Sequence, residues 1–198
     1  MARPREFDTD EAVQKAMQVF WQHGYGDASL PDLLDGMGLT RGSLYKAFKD
    51  KKSLFLLVLD RYETAHVDGA VALLRNAEVG DGAARITALF GGLLRAVEAA
   101  DHRGCLLCTA ASGAAAEDAD IAQAVHHGLA KMQSAIEGAL RDTPALDPLG
   151  AHRRMRLANV LLTQYIGLRM LQRSRLPLGV LEQSVQGVED LLKAAAPT

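Results

Sequence analysis

Ser29-Leu-Pro-Asp-Leu-Leu-Asp-Gly-Met-Gly-Leu-Thr-Arg-Gly-Ser-Leu-Tyr-Lys-Ala-Phe-Lys-Asp-Lys-Lys52 contains two complete helix signals and the turn between them. Ser29 and Asp32 stand at capping-box spacing, Pro31 falls in a first turn, where proline is tolerated, and Leu30, Leu33, Leu34 and Met37 repeat at i, i+3, i+4 and i+7. Gly36 and Gly38 close this short helix, and Thr40 caps a following rod from Arg41 to about Phe48. The link Gly38-Leu39-Thr40 changes direction sharply, which requires a glycine backbone. Leu39, Leu44 and Phe48 are spaced to pin the second rod against the first, leaving Arg41, Gly42, Ser43, Tyr45 and Lys46 facing outward.

That outward set suits a helix lying in the major groove of double-stranded DNA. Arg and Lys reach guanine edges, Ser and Tyr hydroxyls hold phosphates, and Gly42 permits close approach. The formal net charge of the chain is −2, so nothing global favours nucleic acid. Positive charge is concentrated locally instead: between Arg41 and Lys52 there are five basic residues, with Lys49, Lys51 and Lys52 following the rod, against the single acid Asp50. Arg3 and Arg5 form a candidate N-terminal arm.

N-terminal to this block, residues 8 to 23 read as a helix with Asp8 as cap and Ala12, Ala16, Val19, Phe20 and His23 on one face. Asp50 caps a fourth helix expected to run to the mid-70s. After the turn at Gly80-Asp81-Gly82, helical patterns cover roughly 83–100, 104–116, 118–141, 148–174 and 178–195, with no convincing strand; Pro144, Pro148 and Pro177 mark loops. The expected fold is all-α with about nine helices: an N-terminal three-helix helix-turn-helix domain over residues 1–50 and a C-terminal helical bundle over 51–198. On the last two helices, Leu157, Leu161, Gln164, Leu168 and Leu171, then Leu178, Leu181, Val185, Val188 and Leu192, form apolar seams suited to a four-helix homodimer interface or to packing within one chain.

Hydrophobic residues make up 48% of the 198-residue chain and aromatic residues 5%, a globular, helix-leaning composition. No apolar run follows the N-terminal arginines and the longest uncharged stretch, Gly104 to Ala116, is too short to cross a bilayer; a cytoplasmic protein with no membrane association is expected. Two cysteines are too few for a disulfide framework and imply a reducing compartment. Phosphate-binding glycine loops, a zinc-protease helix and a nucleophile elbow are all missing, so neither an enzyme nor a cofactor is expected.

The Ser29–Lys52 block, above all T-R-G-S-L-Y-x-x-F with a following D-K, resembles the DNA-binding signature of the TetR family of transcriptional regulators, with good resemblance over residues 8 to 60. The resemblance implies phosphate contacts from Ser29, Thr40, Tyr45 and Lys51 and base contacts from Arg41, Ser43 and Lys46. It further implies a dimer on a palindromic operator, most often a repressor, released by an effector held in a largely apolar cavity. Leu34 departs from the pattern, since a small residue commonly stands four before Gly38, where the two helices cross closely.

Phe90, Leu94, Met132 and Tyr165 are candidate effector contacts for an apolar or aromatic small molecule, and equally plain core. Cys105 and Cys108 stand three apart after Gly104, which places Cys105 in the first turn of a helix beside Arg103, where a thiolate is favoured. The G-C-L-L run is similar to that of TetR-family members that sense reactive electrophiles. Buried inert cysteines and a redox or electrophile sensor both remain open. His102, Cys105 and Cys108 spread over more than one helix face, so no metal site is expected.

Overall fold

The computed structural model describes residues 7–196. Arg3 and Arg5, the candidate arm, lie outside the described residues. The elements are α1 (Thr9–His23), α2 (Leu30–Met37), α3 (Arg41–Phe48), α4 (Lys51–Tyr62), a π turn (Glu63–Val67), α5 (Asp68–Arg75), α6 (Gly82–Glu98), α7 (Leu106–Ala111), α8 (Ala119–Arg141), α9 (Ala151–Arg173) and α10 (Leu178–Ala195). Short 3-10 turns at Ala77–Val79, Ala114–Glu117 and Pro144–Leu146 complete the list. Among the described residues there is no strand; counting the consecutive α4, π turn and α5 as one helix gives nine.

The caps read from the sequence form. Asp8 accepts the N–H groups of Asp10 and Glu11, Ser29 and Asp32 bond reciprocally, and Thr40 and Asp50 accept from Ser43 and Ser53. Two expected helices are interrupted. The fourth gives way to the π turn, where the Thr64 hydroxyl donates to the Asp60 carbonyl at 3.1 Å, a side-chain bond that competes with the regular ladder. The expected 104–116 helix contracts to the six residues of α7: Gly104 takes φ +72° ahead of it, and beyond it the Ser112 hydroxyl donates to the Thr109 carbonyl.

The described residues divide into two compact units. The first takes residues up to Ala65 together with Leu106–His127, the second His66–Cys105 and Gly128 onward. In the first unit, α1 packs on both α2 and α4 and therefore buries a wider face than one stripe: Ala12, Val13, Ala16, Met17, Phe20 and Trp21, while His23 is exposed. Phe20 meets Phe55 at 4.8 Å between ring centres, and Trp21 meets Tyr62 edge-on at 5.1 Å.

In the second unit α6 packs against α5, α9 and α10. The buried Arg85 guanidinium donates to the carbonyls of Leu74 and Asp81 and to the Asp142 carboxylate. The α10 seam, Leu181, Val185, Val188 and Leu192, is buried within the chain, as are Leu161 and Leu168 of α9. These residues serve the chain's own core, because α10 lies along α6 and α9. Of the α9 seam, Gln164 is exposed and Leu157 and Leu171 are half-buried.

Candidate nucleic-acid interface and effector region

Gly38 adopts the left-handed conformation, φ +67° and ψ 34°, and its N–H reaches back to the Asp35 and Leu34 carbonyls. The turn therefore ends α2 and starts α3 within three residues. On α3, Leu44 and Phe48 are buried and the helix packs on α4. The opposite face is open: Thr40, Arg41, Gly42, Tyr45, Lys46 and Lys49 are exposed, and Ser43 is half-buried. The Thr40 and Ser43 hydroxyls lie 3.0 Å apart, so the cap and the candidate base contact share one hydrogen-bonded corner. The Arg41 guanidinium stands 5.8 Å from the centre of the Tyr45 ring, a cation–π pair that directs both outward groups along one side.

Ser29 is exposed at the start of α2, its hydroxyl donating to Asp32 Oδ2 at 2.5 Å and its N–H at 2.9 Å, and these two bonds, the hydroxyl's above all, hold the Asp32 carboxyl below the usual carboxylate range. Lys51 is placed differently from its neighbours. Its ammonium donates to the Gly26 carbonyl at 3.3 Å and lies 4.8 Å over the Tyr25 ring, and burial pushes its pKa down. Lys52 is drawn between Asp118 and Asp120, a pairing with no signal in the local sequence because the acids lie far along the chain.

Of the candidate effector residues, Phe90, Leu94, Met132, Tyr165 and Cys105 belong to the second unit and Cys108 to the first. Phe90 is buried and meets Tyr165 edge-on at 5.5 Å, Met132 is buried on α8, and Leu94 and Tyr165 are half-buried. Cys105 stands immediately before α7 and not in its first turn, since Gly104 with φ +72° delays the helix by one residue. It is half-buried, whereas Cys108 is buried within α7; the two cysteines fall in different units. The loop before Cys105 is held by α9: Arg169 donates to the Gly104 carbonyl at 2.6 Å and Arg173 to that of Arg103 at 3.2 Å. Among the described residues no group of three or more His, Cys, Asp or Glu side chains is arranged to hold a metal ion, and no helix is long and apolar enough to cross a membrane.

Comparison with known proteins places this architecture. Residues 12–58 match the model for bacterial regulatory proteins of the tetR family. The HTH-type transcriptional repressor ComR of Escherichia coli K12 is 52% identical over 60 residues, 30% of this chain and 29% of the relative. The regulator YezE of Bacillus subtilis 168 is 42% identical over 62 residues, so this chain matches less than a third of the length of either relative. Over nearly the whole chain the fold is similar to a cysteine variant of the TetR family transcriptional regulator CifR, solved with 26-base-pair operator DNA, at 30% identity, a TM-score of 0.81, and coverage of 97% of this chain and 99% of that one. Reduced NemR of E. coli shares the fold at 20% identity and a TM-score of 0.76, covering 91% and 94%.

The chain belongs to the TetR family of transcriptional regulators.

Proposed function

We propose that this protein is a cytoplasmic transcriptional repressor that binds a palindromic DNA operator as a homodimer and is released by a small-molecule or thiol-reactive effector. The observation that carries the reading is the exposed polar face of α3, with Arg41, Gly42, Tyr45 and Lys46 turned away from the core that Leu44 and Phe48 enter. CifR, similar over the full length, was solved on its operator, which supports the same partner here. In this reading residues 1–50 form the DNA-binding domain and 51–198 the effector-binding and dimerisation domain. Arg41, Ser43 and Lys46 address base edges; Ser29, Thr40, Tyr45, Lys49 and Lys51 address phosphates, with Gly42 allowing close approach.

Dimerisation falls to the faces of α9 and α10 that the chain leaves uncovered. Met155, Val160 and Val180 are 42%, 47% and 42% exposed, large apolar side chains on the two helices expected to meet a second copy. Phe90, Leu94, Met132 and Tyr165 supply apolar and aromatic contacts for an effector, and Cys105, the less buried thiol, is the group an electrophile or oxidant reaches before Cys108.

A footprint of the purified protein on the DNA flanking its own gene tests the reading. The expected result is a two-fold symmetric protected site at about 150 mM salt that random duplex does not compete away, lost on treatment with a thiol reagent and retained in Cys105→Ser. Equal affinity for random duplex would overturn the regulator reading; loss of the footprint in thiol-treated Cys105→Ser would overturn the role of Cys105 alone.

A further inference from the structure

In the primary sequence Lys52 is one of three lysines, with Lys49 and Lys51, that concentrate positive charge just behind the reading helix. Its ammonium instead lies 2.8 Å from Asp118 Oδ2 and 2.7 Å from Asp120 Oδ2. Asp118 is engaged on both oxygens, because its Oδ1 accepts the N–H groups of Asp120 at 3.0 Å and Ile121 at 3.3 Å and so caps the first turn of α8. Lys52 sits in the first turn of α4, whose own cap Asp50 takes the Ser53 N–H at 2.7 Å. A single ammonium thus fastens the opening turn of α4 to the opening turn of α8.

The charge balance makes this fastening specific. Two carboxylates meet at the start of α8, and Lys52 offsets one of them while bridging both. These hydrogen bonds raise the Lys52 pKa and lower that of Asp118, so both partners are charged throughout the neutral range. Asp118 is 30% and Lys52 36% exposed, whereas Asp120 at 63% stands open to water, so the Lys52–Asp118 arm of the clasp is the less screened of the two. Tyr25 completes the corner: it packs 4.7 Å from Phe55, and burial followed by the Asp118 charge pushes its hydroxyl pKa up. From the clasp α8 runs on to Arg141 and carries Met132, a candidate effector contact.

We propose that Lys52, Asp118 and Asp120 form a charge clasp through which the first turn of α8 positions the α3–α4 corner, making Lys52 a positioning residue for DNA reading that contacts no phosphate itself. The inference rests on the DNA-reading function proposed above. It departs from the simplest electrostatic expectation, in which Lys52 binds DNA and the two aspartates only repel it.

The test compares operator binding by full-length Lys52→Gln, Asp118→Asn/Asp120→Asn and Lys52→Glu/Asp120→Lys over a range of salt. Asp118→Asn retains a side-chain acceptor for the α8 cap, and the exchanged pair keeps one ammonium among two carboxylates. The clasp predicts that the first two variants each lose about fivefold in affinity with the wild-type salt slope, and that the exchange recovers most of the loss. A phosphate contact predicts a slope lowered by about 1 per subunit in Lys52→Gln and tighter binding by the double asparagine variant; either result overturns the clasp. If the wild-type protein itself selects no operator, the function reading fails separately and the clasp is judged on the free protein. Both loosened variants must then speed amide exchange at residues 44–48 and 119–125, and unchanged exchange in either overturns it.

Discussion

Asp50 donates its backbone N–H to the carbonyl of Phe48 at 2.8 Å, closing a three-residue turn around Lys49, which is held at φ +68° and ψ −58°. A non-glycine residue in that region stores strain, and here the strained residue is a basic one at the foot of the exposed helix. Lys49→Gly separates the two roles. Stability to urea should rise by roughly 1 kcal/mol as the strain is relieved, while operator affinity falls with a salt slope smaller by about 1 per subunit. A stability decrease would show that the turn is not strained; an unchanged slope would remove Lys49 from the phosphate contacts.

Arg41→Ala and Lys46→Ala should act on sequence choice and not only on overall affinity. Each is expected to cost about 1–3 kcal/mol on the operator and to narrow the gap between operator and random duplex. Leu44 and Phe48 keep their places, so the thermal midpoint should move little. A uniform loss on both duplexes would reassign these side chains to phosphate.

Gly82 has room for no side chain: a Cβ there would stand 1.5 Å from the Ala139 carbonyl oxygen and 2.4 Å from its carbon, both backbone atoms that cannot turn aside. Gly82→Ala should therefore destabilise by about 3 kcal/mol, through forced separation of α6 from α8. Gly138, with nothing within 4 Å of its Cβ position, serves as the control. Gly138→Ala should stabilise by roughly 0.5–1 kcal/mol, the ordinary helix-propensity gain. Thermal or urea unfolding of the two variants checks both signs.

Asp101 accepts hydrogen bonds from the Arg103 guanidinium and backbone, and that pairing lowers its carboxyl from 3.8 to about 2. Because the folded pKa lies below the unfolded one, the stabilisation is fully present above the unfolded value and disappears as pH falls through the folded value. Melting temperature should drop between about pH 4 and pH 2, and Asp101→Asn should flatten that part of the profile. An unaltered acid limb in the variant would detach Asp101 from the pH response.

Val160→Glu places a charge on the uncovered face of α9, where 47% of the valine is exposed. The expected outcome is a folded monomer in sedimentation with operator affinity far below that of the dimer, since one half-site supplies only half the contacts. A dimeric Val160→Glu would move the interface elsewhere on the molecule.

Local chemistry determined much of this protein from the chain alone. The four caps at Asp8, Ser29, Thr40 and Asp50 and the glycine turn at Gly38 depend on residues within four positions of one another, so their geometry follows from short-range hydrogen bonding and backbone sterics. The outward set on α3 was legible for the same reason, because Leu44 and Phe48 define the inner face and leave the rest by periodicity. Tertiary packing decided what periodicity leaves degenerate. An apolar seam on α10 carries no mark saying whether α6 of the same chain or another copy covers it, and two adjacent lysines carry none saying which faces Tyr25 and which is captured by Asp118 and Asp120. Those choices rest on long-range contacts, where burial and charge pairing between distant segments override the local pattern.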